Sequence, residues 1–400
     1  MVQIPDSPVP SQRILLIPAM LDDHFPLLQY AFYTPEYYPV ILENRRGIED
    51  LGLRRAHNDM CYPFILSLGQ YLDALDSGAY DLDRVSLLMP SAGDACRGSN
   101  FTSLIRKGLA AAGYGQVEVL TLNVKGLEKG QALPIRPYMV WRALFGLFYG
   151  DLLMLLTHQT RPYEKTPGDT AACRAKWTAR LAQDLKTGRH LTLRAMKQTF
   201  SQAAADFAAI PRAPRPRKRV ALVGELYTKY CALGNWDMVA FLEEEGCEVA
   251  VNGFSWYILY YASNQVAGNT GPRRGLWRLA MAWVAGLQGA MTEALARHGF
   301  HSLPPFPAFQ REAARWMSPT LQVADGWLMG AEIAAHLHGG CRRVLAMQPF
   351  GCLPNHVCGR GQYAALARRL GRGKVISVDM DASSPRLLVY NRVKLLLEGQ

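Results

Sequence analysis

An alternation does most to limit what this chain can fold into. Short runs rich in aliphatic and β-branched residues are each followed by a stretch with helical periodicity. The strand-like runs of the first part are RILLIP (13–18), YPVIL (38–42), RVSLLMP (84–90) and QVEVLTLNV (116–124). Those of the second part are KRVALVGE (218–225), CEVAVNG (247–253), RRVLAMQ (342–348) and KVISVDMD (374–381). Strand, helix and strand in regular succession imply parallel pairing through right-handed crossovers. The stretch 125–210 is mostly helical, and PRAPRPRKR (211–219) separates it from the second series. The expected fold is therefore α/β, with two Rossmann- or flavodoxin-like domains built on parallel sheets. Residues 1–212 form the first domain, with a helical insertion, and 218–400 form the second.

Composition removes several classes of function. Nearly half of the 400 residues are hydrophobic and about a fifth are charged, which suits a globular chain with a sizeable core. Residues 1–12 are polar and proline-rich, unlike a secretory signal. The apolar stretches 138–157 and 275–290 contain Arg142, Asp151 and Arg278, so both are expected as buried helices and not as membrane spans. Part of the net charge of +11 is local to the 211–219 run. No nucleic-acid-binding motif accompanies that run, so it reads as a solvated linker. The expectation is a cytoplasmic protein that engages neither nucleic acid nor membrane. A positive surface is compatible with acidic partners such as a CoA thioester.

The eight cysteines are too sparse for a disulfide framework. No CxxC pair is present, so a metal site has to draw on cysteines far apart in sequence. Three of them occupy informative places. Cys61 lies on the turn HNDMCYP (57–63), just before a helix. Cys96 lies in SAGDACRGSN (91–100), the loop after one strand, and Cys352 lies in the equivalent loop of the second part. In doubly wound sheets these loops gather at the carboxyl ends of the strands, where ligands bind. Helix amino termini there carry partial positive charge, which is expected to lower thiol pKa and favour the thiolate. Three distant cysteines are thus expected to meet across an interdomain cleft.

Six segments together carry a resemblance. NDMCYPFILSLGQYLDAL (58–75), SAGDACRGSNF (91–101), TRPYEKTPG (160–168), VGELYTKYCALGNWDM (223–238), FGCLPNHVCGRG (350–361) and DMDASSPRLLVYNRVKLLL (379–397) resemble the 2-hydroxyacyl-CoA dehydratase superfamily. The nearest branch is the dehydratase-like module associated with, or fused to, acyl-CoA dehydratase activases. The resemblance implies a [4Fe–4S] cluster held by Cys61, Cys96 and Cys352. It also implies an ATP-hydrolysing activase of the actin/Hsp70 class that supplies one low-potential electron, which the cluster passes to a bound 2-hydroxyacyl-CoA so that a ketyl radical expels the hydroxyl. A homologous second subunit, or a homodimer, is the implied assembly. Relatives carry a Thr-Gly-Gly stretch before the second cysteine, of which this chain keeps only Gly93. There is no GxxxxGK[ST] and no actin-like phosphate motif, so this chain has no ATP site of its own. The alternative is a non-catalytic electron-transfer or regulatory module.

Further candidates surround these cysteines. Cys231 and Cys358 would be the extra ligands of a double-cubane [8Fe–9S] cluster; the bland reading makes them packing residues. His356 is a candidate to bond a cluster sulfur or to protonate a leaving hydroxyl, against a role as a backbone-bonded loop histidine. Glu225, at a strand end, is a candidate for substrate or partner contact. Arg97 either offsets an anionic cluster or holds its loop. Asn355 and Gly351 are further cofactor-binding candidates, Gly351 through backbone geometry. Asn58 and Asp59 are expected to shape the turn before the Cys61 helix, and Arg161–Glu164 has no chemical role.

Overall fold

All eight strand-like runs pair in parallel. The computed structural model describes residues 3–57, 59–90, 96–122, 132–371 and 373–398. The first sheet contains β1 (Arg13–Ile17), β2 (Tyr37–Ile41), β3 (Val85–Pro90) and β4 (Glu118–Leu122), in the order β2-β1-β3-β4. The second contains β5 (Lys218–Gly224), β6 (Cys247–Ala250), β7 (Arg343–Pro349) and β8 (Lys374–Met380), in the order β6-β5-β7-β8. In each sheet the second strand goes to the outside of the first and the third goes to its other side. The direction of winding therefore reverses between β1 and β3, and between β5 and β7. Loops leaving the carboxyl ends of those neighbours diverge and leave a crevice. The inner strands are covered on both faces, as helices packed above and below a parallel sheet require; Val220, Ala221, Leu222 and Val223 of β5 are all fully buried.

Three helices position the rest. The helix Tyr62–Asp76 has Cys61 at its N-cap and a proline in its first turn, and almost its whole length is buried. It crosses the short helix Ile48–Leu53 at Gly52 and Gly69. A Cβ on Gly52 would lie 2.0 Å from the Ile65 carbonyl oxygen, and one on Gly69 would lie 2.0 Å from that of Ile48. The helix Pro137–Thr160 is long and apolar enough to cross a membrane, but most of it is buried in protein. Its two charges are used internally, as burial demands. Arg142 Nε donates to the Leu185 carbonyl at 3.0 Å. Asp151 accepts from the Phe254 and Ser255 amides at 2.5 and 2.9 Å, and pairs with His24 at 2.7 Å. A continuous apolar core runs past this helix and joins both sheets.

The helix Gly271–Arg297 departs from expectation. Only its carboxyl-terminal half is buried. Its first half projects, leaving Leu276 and Leu279 68% and 72% exposed. Apolar composition marked the helix, but burial depends on how much of it a neighbour covers: Tyr261 of the helix Phe254–Gly268 meets Trp277, while Leu276 and Leu279 stay outside that contact.

The basic run after 210 is irregular and tied down. Ala213 N donates to Tyr163 O at 2.7 Å, and Lys165 N to Pro211 O at 2.9 Å. Arg217 Nε donates to Pro162 O at 3.1 Å. The segment to which it is tied is the one that had no role. Arg161 makes a two-pronged contact with Glu243 at 2.6 and 2.8 Å. Tyr163 donates its hydroxyl to Glu248 at 2.7 Å. Glu164 accepts from the Gly168 and Thr170 amides at the start of the helix Asp169–Thr187. This segment fastens the helical region to the second sheet.

Candidate functional site

The three loop cysteines stand where chain direction changes. Cys61 caps the helix Tyr62–Asp76. Cys96 begins the short turn Arg97–Asn100, and its sulfur accepts from the Gly98 amide at 3.3 Å. Cys352 follows β7, with its amide donating to Pro349 O at 3.1 Å. Cys96 and Cys352 both bear on the Cys61 thiol. Burial raises the Cys61 thiol well above its ordinary range; Glu225, Cys352 and Cys96 push the same way, and Arg97 opposes them. Burial also raises the Cys352 thiol, followed by Glu225 and Asp325, against hydrogen bonds from Asn355. Three residues distant in sequence are thus brought within electrostatic reach.

Glu225 is placed by backbone geometry. Gly224 has φ +124, and a Cβ there would sit 1.9 Å from the Met347 carbonyl oxygen. The chain can therefore turn tightly against β7 only with glycine at this point. Glu225 N donates to the same Met347 oxygen at 2.9 Å. Its carboxylate accepts from Thr228 N at 3.0 Å, capping the helix Leu226–Tyr230. Burial raises its pKa, against those hydrogen bonds and Lys229.

On the other side, residues Asn355–Arg360 form one π-helical turn that runs into the helix Gly361–Leu370. Such wide turns favour functional sites because they redirect side chains. Asn355 is fully buried, and its Nδ2 lies 3.3 Å from Cys352 Sγ and 3.4 Å from Asp325 Oδ2. Its Oδ1 has no partner. Burial and then Glu225 push the Asp325 carboxyl up to about 7. Beneath it, Lys229 Nζ contacts both oxygens of Glu332 at 3.0 and 3.2 Å, and Asn252 Nδ2 donates to Glu332 at 2.8 Å.

A cavity of about 240 Å³ adjoins the cysteine loops, lined by Asp59, Arg97, Gly351, Met380 and Asp381 among others. Arg97 donates to the Asp59 carbonyl, so it holds the Cys61 and Cys96 turns together. Gly351 has φ +69 and open space around it.

The structure thus assembles Cys61, Cys96, Cys352, Glu225, Arg97, Gly351 and Asn355. It treats the other candidates differently. Both ring nitrogens of His356 face protein groups: Nδ1 lies 2.9 Å from Cys352 O and Nε2 3.6 Å from Asp379 Oδ1. Cys231 is buried near Tyr227 and Asp22, with its thiol pushed up to about 12 chiefly by burial. Cys358 is buried in the π-helical turn, and burial alone raises its thiol. Asn58 and the Gly93 loop lie outside the described residues.

The expectation of a lowered thiol pKa is overturned at Cys61 and Cys352. Both sit near helix starts, but the loss of water and the Glu225 carboxylate outweigh the helix ends. Asp325 and the Lys229–Glu332 pair were missed. Asp325 carried a readable signal, an Asp-Gly dipeptide at the start of the helix Gly326–His338.

The residues fit an iron–sulfur cluster on donor chemistry. Buried thiols beside buried carboxyls keep their protons unless a cationic centre replaces them, and bound metal does so. Among the described residues, no three His, Cys, Asp or Glu side chains converge on a single ion. A cubane, with its own sulfides between the irons, spans a wider thiol spacing than one ion does.

Comparison with protein-family models finds no match to this chain, and comparison with curated proteins finds no similar sequence.

Proposed function

We propose that this chain is an iron–sulfur protein of the 2-hydroxyacyl-CoA dehydratase type, with two flavodoxin-like domains and its cluster in the cleft between them. Cys61, Cys96 and Cys352 would hold a [4Fe–4S] cluster. An ATP-hydrolysing activase would charge it for radical dehydration or reduction of an acyl-CoA-like substrate. The observation that supports this reading is that Cys96 and Cys352, both distant in sequence, bear on the buried Cys61 thiol, with Glu225 acting on Cys61 and Cys352 and Asp325 on Cys352. When bound, the cluster supplies one-electron chemistry at low potential. The chain's own residues do the rest. Asn355 offers an amide N–H to the Cys352 sulfur, which favours negative charge there. Arg97 ties two cysteine turns and adds positive charge on the open side. Glu225 and Asp325, both raised by burial, are placed to hold protons inside the site.

The second reading is an electron relay without a substrate of its own. The cavity beside the cysteines favours it, because about 240 Å³ lies below the ~300–1,000 Å³ usual for small-molecule sites.

Iron and acid-labile sulfide per chain, with EPR of the dithionite-reduced protein, test the proposal on anaerobic wild type and Cys352→Ser. Four irons per chain and a signal lost in the variant are expected. Eight irons would bring Cys231 and Cys358 into a double cubane. An iron-free wild type after reconstitution would overturn the reading. Reduction by an activase without turnover of any hydroxyacyl-CoA would select the relay.

A further inference from the structure

The exposed half of the helix Gly271–Arg297 carries an ordered surface. Leu276, Leu279 and Trp283 stand three and four residues apart, so they share one face of the helix. They are 68%, 72% and 43% exposed. The opposite side is turned inward. Trp277 meets Tyr261 of the neighbouring helix, and farther along Leu287, Gln288, Met291 and Leu295 are buried. At the base of the row Trp283 stacks on Trp141, with ring centroids 6.2 Å apart. Large apolar residues scattered singly over a surface need no explanation, but a row of three on a projecting helix does.

Charge is arranged around this row. Arg273, Arg274 and Arg278 are all exposed. Successive helical positions place Arg273 roughly a quarter of a turn to one side of the row and Arg278 roughly a third of a turn to the other. Between Glu248 and Glu293 the chain has no acidic residue, and these three arginines are the only charges in that stretch. The projecting element therefore presents positive charge with no carboxylate of its own to neutralise it. Arginine stems lie well against apolar surface while their guanidinium groups reach outward.

An apolar row edged by arginines and bordered by tryptophan is the pattern of a helix that lies in the headgroup layer of a bilayer. The arginines that unsuit this stretch to cross a membrane suit it to rest on one. We propose that the exposed half of the helix Gly271–Arg297 docks the protein on a bilayer surface containing anionic phospholipid, with Leu276 and Leu279 set into the boundary of the acyl chains and the arginines on lipid phosphates. Charge favours this occupant over a second copy of the chain. A second copy brings the same three arginines and a net charge of +11, so like-charged faces would meet. The carboxyl-terminal half of the helix stays buried in the protein, so the helix rests on the bilayer and does not enter it further. The surface is independent of the cysteine loops and stands whether or not they hold iron.

The test is flotation of the full chain with phosphatidylcholine vesicles, with and without about one-third phosphatidylglycerol, in about 0.1 M salt. Wild type is expected to float with the anionic vesicles and to bind pure phosphatidylcholine about a hundredfold more weakly, each arginine contributing about fivefold. Replacing Arg273, Arg274 and Arg278 together by Gln is expected to remove about the same factor. Leu276→Ser combined with Leu279→Ser is expected to weaken binding at least tenfold. All five positions are exposed, thermal unfolding checks that each variant is folded, and either variant alone carries the test. Absence of wild type from the anionic vesicles would overturn the proposal. So would binding that the leucine variant leaves unchanged, which would be attraction by overall charge. A wild-type dimer in sedimentation velocity that the leucine variant dissociates would give this face to a second copy and overturn it too.

Discussion

Lys229 lies inside the protein with its ammonium against both oxygens of Glu332. A pair this deep stabilises little in net terms, but either member left alone is a buried, unpaired charge. Lys229→Met should therefore cost about 3–5 kcal/mol, and Lys229→Met combined with Glu332→Leu should recover most of it. Urea denaturation of both single variants and the double variant measures this; a double-variant loss equal to the sum of the two single losses would show the two groups to be uncoupled. Neither residue was legible as a site in the sequence. Each falls in an apolar helical pattern where a lone charge ordinarily reads as the solvated side, and only tertiary packing brings the two together. Cys96 and Cys352 were legible as positions because a residue in the loop after a strand needs only the strand to be recognised, and Cys61 because Pro63 marks the start of a helix. The protonation of Cys61 and Cys352 was not legible. It depends on burial and then on Glu225, which lies far from both in the chain.

Between elements, two helices approach closely where Ile48–Leu53 crosses Tyr62–Asp76. Gly52 and Gly69 each face a backbone carbonyl of the other helix, so an added methyl group has nowhere to go. Gly69→Ala should cost about 3 kcal/mol or more, because the helices must move apart and backbone cannot yield as a side chain does. Thermal unfolding measures it, and an unchanged Tm would mean that the crossing is slack. The strands were the most legible elements. β-branched runs of the right length, bounded by turns, identify all eight within a residue or two, apart from a few ends. The projecting half of the helix Gly271–Arg297 was not legible. Its composition matches that of a buried helix, and exposure is decided by how far the neighbouring elements reach, which leaves no mark in the helix itself.

For the molecule as a whole, the buried imidazoles set a dependence on pH. His158 takes up a proton near pH 4 in the folded protein and near 6.5 when unfolded. Between those values the unfolded chain binds the proton that the folded chain refuses, so stability falls as pH falls through this window. The difference is about 3 kcal/mol for His158, and His336 acts in the same direction. The buried carboxyls Asp325 and Glu332, raised by burial, work the opposite way. His158→Leu should therefore flatten the decline between about pH 7 and 4.5. Denaturation midpoints of the variant and the wild type across that range check it; parallel curves would mean that the imidazole is charged in the fold. The α/β architecture and the repeated strand order follow from patterning along the chain. The continuous core joining the two sheets does not, because it is made by the helix Pro137–Thr160 reaching between parts that the sequence presents as separate.

The distance along the chain between the cysteine loops also has a consequence during synthesis. Cys61 and Cys96 leave the ribosome early, whereas Cys352, the π-helical turn behind it and Asn355 are made near the end. At roughly 5–20 residues per second, the interval between the second and third loops lasts some tens of seconds or less. Until that interval closes, the first two thiols lack the β7 loop, and Glu225, made about midway, lacks the Met347 carbonyl that its amide bonds in the fold. The cysteine site is thus completed only by the last part of the chain to be made, and translation speed sets how long Cys61 and Cys96 wait for Cys352.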